Sequence, residues 1–190
     1  MDLMVLQTEY ERELERLDRF ARELRAQLIE LFQGAQVVLA VPLESRVKSW
    51  PSIAEKAERR GLQLSSILDF HDLVGLRAIF LFKRDLEKAA RLVSQTFVVT
   101  AREDAGARLA DTAFGYQSFH LRITTPPHWA SLPSLRGCDG LSAELQLRTL
   151  AQHMWAAASH TLQYKKEASV PSAIRRAIYR ASALLETVDL

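Results

Sequence analysis

The chain has 190 residues, enough for one domain with a sizeable core, and its 48% hydrophobic and 25% charged residues are typical of a globular protein. The net charge of +2 does not indicate nucleic-acid binding by itself, so any basic site must be local. A single cysteine, Cys138, excludes an internal disulfide framework, and no apolar run approaches the roughly 20 residues that a membrane helix needs. The acidic, amphipathic N-terminus does not look like a signal peptide, so we expect a cytoplasmic protein without a membrane partner.

A long amphipathic helix is predicted over residues 1–32, because Tyr10 and several leucines recur every seven residues between charged side chains. Gly34 is a suitable stop and places the end of this segment at residue 34. We interpret the apolar stripe as packing against the rest of the domain. Contact with a second subunit, and hence a homo-oligomer, is the alternative.

The remaining chain alternates predicted strands with predicted helices. Strands are expected at residues 36–43, 76–82, 95–101, 115–124 and 142–148. Helices are expected at residues 51–60, 84–94, 149–165 and 171–190, and polar or Pro- and Gly-rich loops at 102–114 and 128–140. This interleaving favours an α/β (α+β) fold, with a mixed sheet of about five strands flanked by helices.

We therefore expect a single domain, 1–190, in which a core at 36–165 lies between the N-terminal helix and a C-terminal helix at 171–190. The C-terminal helix reaches the last residue without a stop signal. That pattern is typical of a truncated chain or of one domain from a longer protein.

A basic and hydroxyl-rich segment follows the first predicted strand and begins with Arg46 and Lys48. Further along, Ser52, Lys56 and Arg59 or Arg60 fall at helical spacing and share one face of a short helix. Lysine supplies a point charge and arginine a flat fork, and this combination suits a polyphosphate. A solvated basic helix is the alternative interpretation.

An acidic residue, Asp72, stands at the mouth of the clearest predicted strand, two residues after Phe70 and five before Arg77. A carboxylate in that position needs a partner, which either Mg²⁺ or the main-chain N–H groups of a turn can supply. Gly75 allows another group to approach the backbone closely.

One face of the strand predicted at 115–124 carries Tyr116, Ser118 and His120, because these residues alternate with apolar ones. A ring, a hydroxyl and an imidazole in a row suit the stacking and hydrogen bonding of a base. A half-exposed strand face explains the same pattern.

The last predicted strand alternates Glu144, Gln146 and Arg148 with leucines. An acid, an amide and a guanidinium on one face fit a metal and phosphate site, although solvent exposure alone is the alternative. His153 and His160 share a face of the following helix and are interpreted as packing or hydrogen-bonding residues. Zinc is not expected, because one Cys and scattered His lack the spacing of its ligands.

These segments, in this order, resemble the synthetase domain of the RelA/SpoT family of alarmone synthetases. The motifs are RVKSxxSIxxK, DLVGLR, GYQSFH and ELQLRTxxQHxWAxxxH followed by YK, and they extend from Arg46 to Lys165. Each motif is weak alone, but the combination is specific. The resemblance implies a nucleotidyltransferase-like fold and an enzyme that moves the β,γ-pyrophosphate of ATP to the 3′-hydroxyl of GDP or GTP, making (p)ppGpp.

The resemblance also implies roles by position. Arg46 and Arg77 would hold the adenine between them, Asp72 would bind Mg²⁺, and Glu144 would be a second metal ligand or the base for the 3′-hydroxyl. The residues implied for the ATP phosphates are Lys48, Ser52, Lys56 and Arg59. Those implied for the acceptor are Tyr116, Ser118, His120, Gln146 and Arg148, with Tyr116 stacked on the acceptor base.

The segment before Gly115 departs from the family pattern, since residues 110–114 read ADTAF where many members carry a basic Pro-Lys-x-Asn segment. Other acceptors therefore stay open, as in toxin-like small members that modify adenine nucleotides or the tRNA 3′ end. A non-catalytic nucleotide- or RNA-binding regulator is the alternative from another class. The length matches a small, synthetase-only form, and small members are often homotetramers.

Overall fold

The computed structural model describes residues 3–62, 64–104, 118–157 and the helical backbone of 158–163, and further on residues 176, 180, 181, 183–185, 187 and 189. Its helices are α1 (Leu3–Gly34), α2 (Trp50–Arg60), α3 (Lys83–Thr96) and α4 (Leu150–Gln163). Its strands are β1 (Glu44–Val47), β2 (Val74–Phe80), β3 (Val98–Asp104), β4 (Phe119–Thr124) and β5 (Ala143–Thr149).

The strands form one mixed sheet in the order β1-β2-β5-β4-β3. Strands β2 and β5 are parallel, and the other neighbouring pairs are antiparallel. The parallel pair occupies the centre of the sheet, where both strands have two neighbours. Within the described residues, the five-stranded mixed sheet expected from the sequence is confirmed.

One face of the sheet is apolar because alternate residues of its central strands are aliphatic. Leu76 of β2, Leu145 of β5 and Leu121 of β4 lie side by side in register, and all three are buried. Helices α1 and α3 contribute the rest of this core, and Phe32 of α1 meets Phe80 of β2 edge to face at 5.6 Å. The core therefore leaves the opposite face of the sheet to polar residues.

Helix α1 ends at Gly34, as expected, and its apolar stripe packs into the core of this same chain. Leu17, Leu24 and Leu28 are almost fully buried. Burial of each leucine side chain contributes roughly 1.5–3 kcal/mol to folding, so packing rather than helix propensity stabilises this element. Contact with a second subunit stays a prediction.

The strand predicted at 36–43 is wrong. Gln36 has a left-handed φ of 56°, and Val38 is 63% exposed. This segment lies beside the last residues of β2 and pairs with them through one isolated bridge, Leu39 to Phe80. Regular pairing begins only after Pro42, since proline cannot donate to the ladder. The true strand, β1, is a short, polar edge strand that hydrophobicity does not reveal.

The β3 boundary also differs from the prediction of 95–101. Helix α3 continues through Thr96, and the N–H of Phe97 donates to the main-chain oxygen of Val93, which closes the helix. Strand β3 then extends to Asp104, three residues into the predicted loop. Polar residues can continue a strand here because β3 is an edge strand whose ladder with β4 supplies the hydrogen bonds.

The remaining differences are small or concern residues outside the description. Strand β2 runs from Val74 to Phe80 rather than over 76–82, and the loop at 128–140 contains 3-10 turns at Pro127–Ser131 and Pro133–Leu135. Residues 115–117, 164 and 165 lie outside the described residues. In the segment 171–190, residues 176, 180, 181, 183–185 and 187 are helical. No helix among the described residues is both long and apolar enough to span a membrane.

Candidate active site

The polar face of the sheet gathers charged side chains from neighbouring strands. One row across the sheet consists of four residues that are paired in register, in the order Arg46, Gly75, Glu144 and Arg122. The adjacent row consists of Glu44, Arg77, Gln146, His120 and Glu103. Residues that are paired across a sheet, or two apart along a strand, face the same side. The fold therefore brings together residues that are as far apart in the chain as Glu44 and Gln146.

Asp72 lies just before β2 and is held by two lysines. Lys56 Nζ donates to Asp72 Oδ2 at 2.6 Å, and Lys48 Nζ donates to the same oxygen. Burial alone would raise the pKa of Asp72, but the hydrogen bonds and charges of the two lysines outweigh it and keep the pKa below its ordinary value. Asp72 is thus an ionised carboxylate at neutral pH. The partner that its position at the strand mouth requires is supplied here by two lysines, which the sequence pattern does not indicate.

Glu144 lies on β5 and accepts through Oε1 from His120 Nδ1 at 2.8 Å and from Gln146 Nε2 at 2.9 Å. The bond from His120 is the main reason that the pKa of Glu144 falls to about 2. Partial burial and the charge of Asp72 act in the opposite direction. The Asp72 effect shows that the two carboxylates are close enough to repel each other.

Both carboxylates keep one oxygen available. All hydrogen bonds to Asp72 end on Oδ2 and all those to Glu144 end on Oε1, so within the described residues Oδ1 and Oε2 accept none. Two carboxylate oxygens on one surface are the donor set that a hard divalent cation prefers. This pair fits Mg²⁺ chemically, with further ligands left to a bound phosphate group.

The first cavity, about 520 Å³, lies over β1 and β2 and contains both carboxylates together with Arg46 and Arg77. Arg46 lies directly over Gly75, because a Cβ added to that glycine would meet Arg46 Cγ at 3.9 Å. This distance is an ordinary van der Waals contact that a Cβ would tolerate, so the closer approach expected at Gly75 stays a prediction. The two arginines come from neighbouring strands and line the same cavity.

Arg77 is fixed from both sides by acceptors. Its Nη1 donates to Glu44 Oε2 at 3.2 Å, and its Nε donates to Gln146 Oε1 at 3.4 Å. Gln146 also accepts from Arg148 Nη2 at 2.8 Å. A guanidinium held in one plane offers a flat surface for stacking on an aromatic base.

A second opening, about 570 Å³, continues the first along helix α2 and contains Lys48, Ser52, Lys56 and Arg59. The shared helix face predicted for the last three is thereby confirmed. Ser52 exchanges a hydrogen bond with Ser49 at 3.0 Å, while Arg59 is exposed and 3.8 Å from Glu55. The surface is basic, close to the N-terminal end of α2, and suited to an anion.

The third cavity, about 610 Å³, lies on the other side of the carboxylates, between α2 and strands β3 and β4. It shares Asp72, Glu144 and Lys56 with the openings above. His120 also lines it, and the further basic residues around it are Arg60, His71, Arg102 and Arg122. The two carboxylates thus line both cavities, and each cavity also contains several basic side chains.

Several residues of the site escape sequence reasoning. Arg122 alternates with the buried Leu121 and Ile123, so period-2 spacing alone could have found it on the polar face. Glu44 and Arg102 fall on edge strands whose limits were predicted wrongly. Their roles depend on strand register, which the sequence does not supply.

Not all predicted site residues line these cavities. Ser118 is 2% exposed just before β4, and Arg148 acts on Gln146 from a buried position. The pKa of His153 is lowered, chiefly by burial and then by the charges of Arg77 and Arg148. His153 therefore lies near these two arginines. Tyr116 and the side chain of His160 lie outside the described residues.

Comparison with known proteins gives a consistent answer. A family model described as "Region found in RelA / SpoT proteins" matches residues 45–169. The GTP pyrophosphokinase YjbM of Bacillus subtilis (strain 168) is 32% identical over 146 residues, which are 76% of this chain and 66%, just under two thirds, of YjbM.

Solved structures agree. Small alarmone synthetase 1 from Bacillus subtilis, bound to its product pppGpp, matches with a TM-score of 0.75 and 27% identity, over 96% of this chain and 93% of that one. The same protein bound to AMPCPP matches with a TM-score of 0.71 and 26% identity, over 96% and 92%.

The chain belongs to the RelA/SpoT family. The family and the fold that the sequence predicts are both confirmed. Its relatives include a protein named as a GTP pyrophosphokinase and structures with bound nucleotides, and both support the predicted enzyme class and nucleotide ligands.

Proposed function

We propose that this chain transfers the β,γ-pyrophosphate of ATP to the 3′-hydroxyl of GDP or GTP, producing (p)ppGpp. The observation that carries the proposal is that Asp72 and Glu144 line two adjacent cavities, each of which also contains several basic side chains. A transfer between two nucleotides needs two binding surfaces that meet at the reacting atoms. The similarity to YjbM and to the pppGpp- and AMPCPP-bound synthetase supports the same reaction.

The donor ATP is assigned to the cavity over β1 and β2. Arg46 and Arg77 enclose the adenine, because both line this cavity and Arg77 is held flat by Glu44 and Gln146. The phosphates extend along α2, where the donor contacts are Lys48, Ser52, Lys56 and Arg59. The lysines now on Asp72 turn to the phosphates, which leaves this carboxylate available for a metal ion.

Asp72 and Glu144 together hold Mg²⁺, which neutralises charge on the transferred phosphates when it is bound. The pKa of Glu144, about 2, makes it a carboxylate at any physiological pH. Such a low proton affinity suits a metal ligand better than a general base, which works best with a pKa near the working pH. We therefore assign Glu144 chiefly to metal binding and to the orientation of His120.

The acceptor is assigned to the third cavity. His120 lines this cavity and is oriented by its hydrogen bond to Glu144, so it faces the 3′-hydroxyl or the adjacent phosphates. Gln146 links the two sides, since it bonds to both Arg77 and Glu144. Tyr116 is proposed to stack on the acceptor base, while Ser118 and Arg148 support the strands from buried positions.

An acceptor screen with γ-labelled ATP and Mg²⁺ tests the proposal, with GDP, GTP, ADP, ATP and tRNA offered separately. We expect label on GDP or GTP together with release of AMP. Label on tRNA or an adenine nucleotide alone would instead favour the toxin-like alternative that the ADTAF segment suggests. Nucleotide binding without any transfer would favour the regulator. The cytoplasmic location and the homo-oligomer stay predictions.

A further inference from the structure

Helix α1 reaches the segment that carries Lys48 through Tyr10. The Tyr10 hydroxyl donates to the main-chain oxygen of Lys48 at 3.0 Å, and its buried ring packs on Trp50 at 5.9 Å between centroids. Burial, aided by the charge of Asp18, raises the pKa of Tyr10, so the hydroxyl remains a donor. The N–H of Lys48 donates in turn to the main-chain oxygen of Leu73 at 2.7 Å. The backbone of Lys48 is therefore held on both sides.

The preceding residue, Glu9, reaches the segment that carries Asp72. Its carboxylate accepts from Ser66 Oγ at 2.6 Å and from the N–H of Ile67 at 2.8 Å. These residues begin the 3-10 turn Ile67–Asp69, which ends three residues before Asp72. Hydrogen bonds to an ionised carboxylate are stronger and shorter than neutral ones, so Glu9 is an effective anchor for this turn.

Both anchors come from outside the region that defines the family. The family model begins at residue 45, whereas α1 ends at Gly34. Of two consecutive residues of α1, Tyr10 thus bonds to the backbone of Lys48, and Glu9 bonds to the turn that precedes Asp72. Neither anchor lines any of the three cavities, so neither is placed to touch a nucleotide.

We propose that Glu9 and Tyr10 are positioning residues that fix Lys48 and Asp72 relative to each other for the donor. The inference rests on the proposed function, in which Lys48 contacts the ATP phosphates and Asp72 the metal ion. Loss of the Tyr10 anchor should therefore affect ATP while leaving the acceptor side unchanged, because Lys48 lines only the donor cavities. Loss of the Glu9 anchor should affect Mg²⁺ through Asp72, which both sides share.

The Tyr10→Phe variant removes only the hydroxyl. We expect it to weaken binding of AMPCPP, measured by calorimetry without metal, by about 3- to 10-fold, the usual effect of one lost hydrogen bond. The KM for ATP should rise by a similar factor, with the acceptor KM within about twofold of wild type. A core variant of α1 away from the anchors, Leu24→Val, is the control for a general loss of stability.

The Glu9→Gln variant replaces one carboxylate oxygen by an NH₂ group. Because this group cannot accept a hydrogen bond, the bond from either Ser66 or Ile67 is lost. We expect the Mg²⁺ concentration for half-maximal rate to rise by about threefold or more. Glu13→Gln on the same helix is the matched control, because among the described residues Glu13 pairs with Arg16 and not with the turn at Ile67–Asp69. It should behave as wild type.

Wild-type AMPCPP affinity in Tyr10→Phe, or an equal loss of affinity in Leu24→Val at the same fall in Tm, would overturn the proposal. A wild-type Mg²⁺ dependence in Glu9→Gln would also overturn it for Glu9. The calorimetric comparison separates this result from a failure of the proposed function. If wild type makes no (p)ppGpp, the function fails, but the change in AMPCPP affinity still decides whether Tyr10 positions Lys48.

Discussion

His120 Nδ1 lies 2.8 Å from Glu144 Oε1, and this hydrogen bond is the main reason that the pKa of Glu144 falls to about 2 from an ordinary value of 4.5. The bond crosses from β4 to β5 on the polar face of the sheet. It joins a residue that faces the acceptor cavity to one that both cavities share. The state of Glu144 is therefore coupled to the acceptor side of the site.

Stability should depend on this carboxylate in acid. Because the pKa of Glu144 is lower in the folded chain, its stabilising contribution is complete above about pH 4.5 and is lost as the pH falls toward about 2. In Glu144→Gln, the loss of unfolding free energy between pH 7 and pH 3 should shrink by on the order of 1–2 kcal/mol. Urea unfolding at both pH values measures it, and an unchanged loss would contradict the assignment.

Asp72→Asn should separate chemistry from binding. We expect turnover to fall by about 100-fold or more, because the variant loses a metal-binding charge at the reacting phosphates. AMPCPP binding without metal should not weaken, because Lys48 and Lys56 are freed from Asp72. Initial rates and calorimetry measure the two effects. Asp139→Asn, on the loop at 128–140, is the matched control and should keep full activity, whereas full activity in Asp72→Asn would refute the site.

The two lysines should matter for both ATP and acid sensitivity. In Lys56→Met, loss of a phosphate contact should raise the KM for ATP about tenfold or more. With one lysine removed, the effect of burial on Asp72 is less well offset, so the pKa of Asp72 should rise. As the pH is lowered, activity should therefore begin to decline at a higher pH than in wild type. Steady-state kinetics across pH 5 to 8, about the range in which the fold is expected to be most stable, provide the measurement.

The control for Lys56→Met is Lys83→Met, because Lys83 lies at the start of α3 and lines none of the three cavities. It should retain the wild-type KM for ATP and the wild-type pH profile. A normal KM for ATP in Lys56→Met would show that α2 does not hold the phosphates.

Arg122 should act on the acceptor alone. It lines the third cavity beside its register partner Glu144 and is absent from the lining of the donor cavities. In Arg122→Met, the KM for GDP or GTP should rise by about tenfold, consistent with loss of one charged hydrogen bond, while the KM for ATP stays within about twofold. The exposed Arg91→Met on α3 is the control. A rise in the KM for ATP instead would place the acceptor elsewhere.

Much of the fold follows from local sequence patterns. Helical periodicity predicts α1 with its stop at Gly34, and the buried strands β2 and β5 come from continuous or alternating apolar residues. Edge strands are different, because one side of their ladder is open and polar residues are tolerated. For that reason the sequence pattern predicts the first strand at 36–43, an apolar but irregular segment beside the end of β2, instead of at β1.

The candidate site divides along similar lines. Asp72, Glu144 and the basic face of α2 are visible as polar residues that interrupt apolar elements. The partnership of Glu144 with His120 depends on the register of β4 with β5, and the bond from Tyr10 to Lys48 spans 38 residues. In sequence, Tyr10 is simply one more member of an apolar stripe. Only the folded arrangement shows that its hydroxyl has a polar partner.

Pyrophosphoryl transfer is tested most directly by the stoichiometry of AMP and product when wild type is incubated with ATP, Mg²⁺ and GDP or GTP. Transfer of a pyrophosphoryl group predicts one AMP for each guanosine 3′-pyrophosphate formed, with both formed about 100-fold or more slowly in Asp72→Asn. Formation of ADP in place of AMP, or no guanosine product under conditions where AMPCPP binds, would contradict pyrophosphoryl transfer by this site.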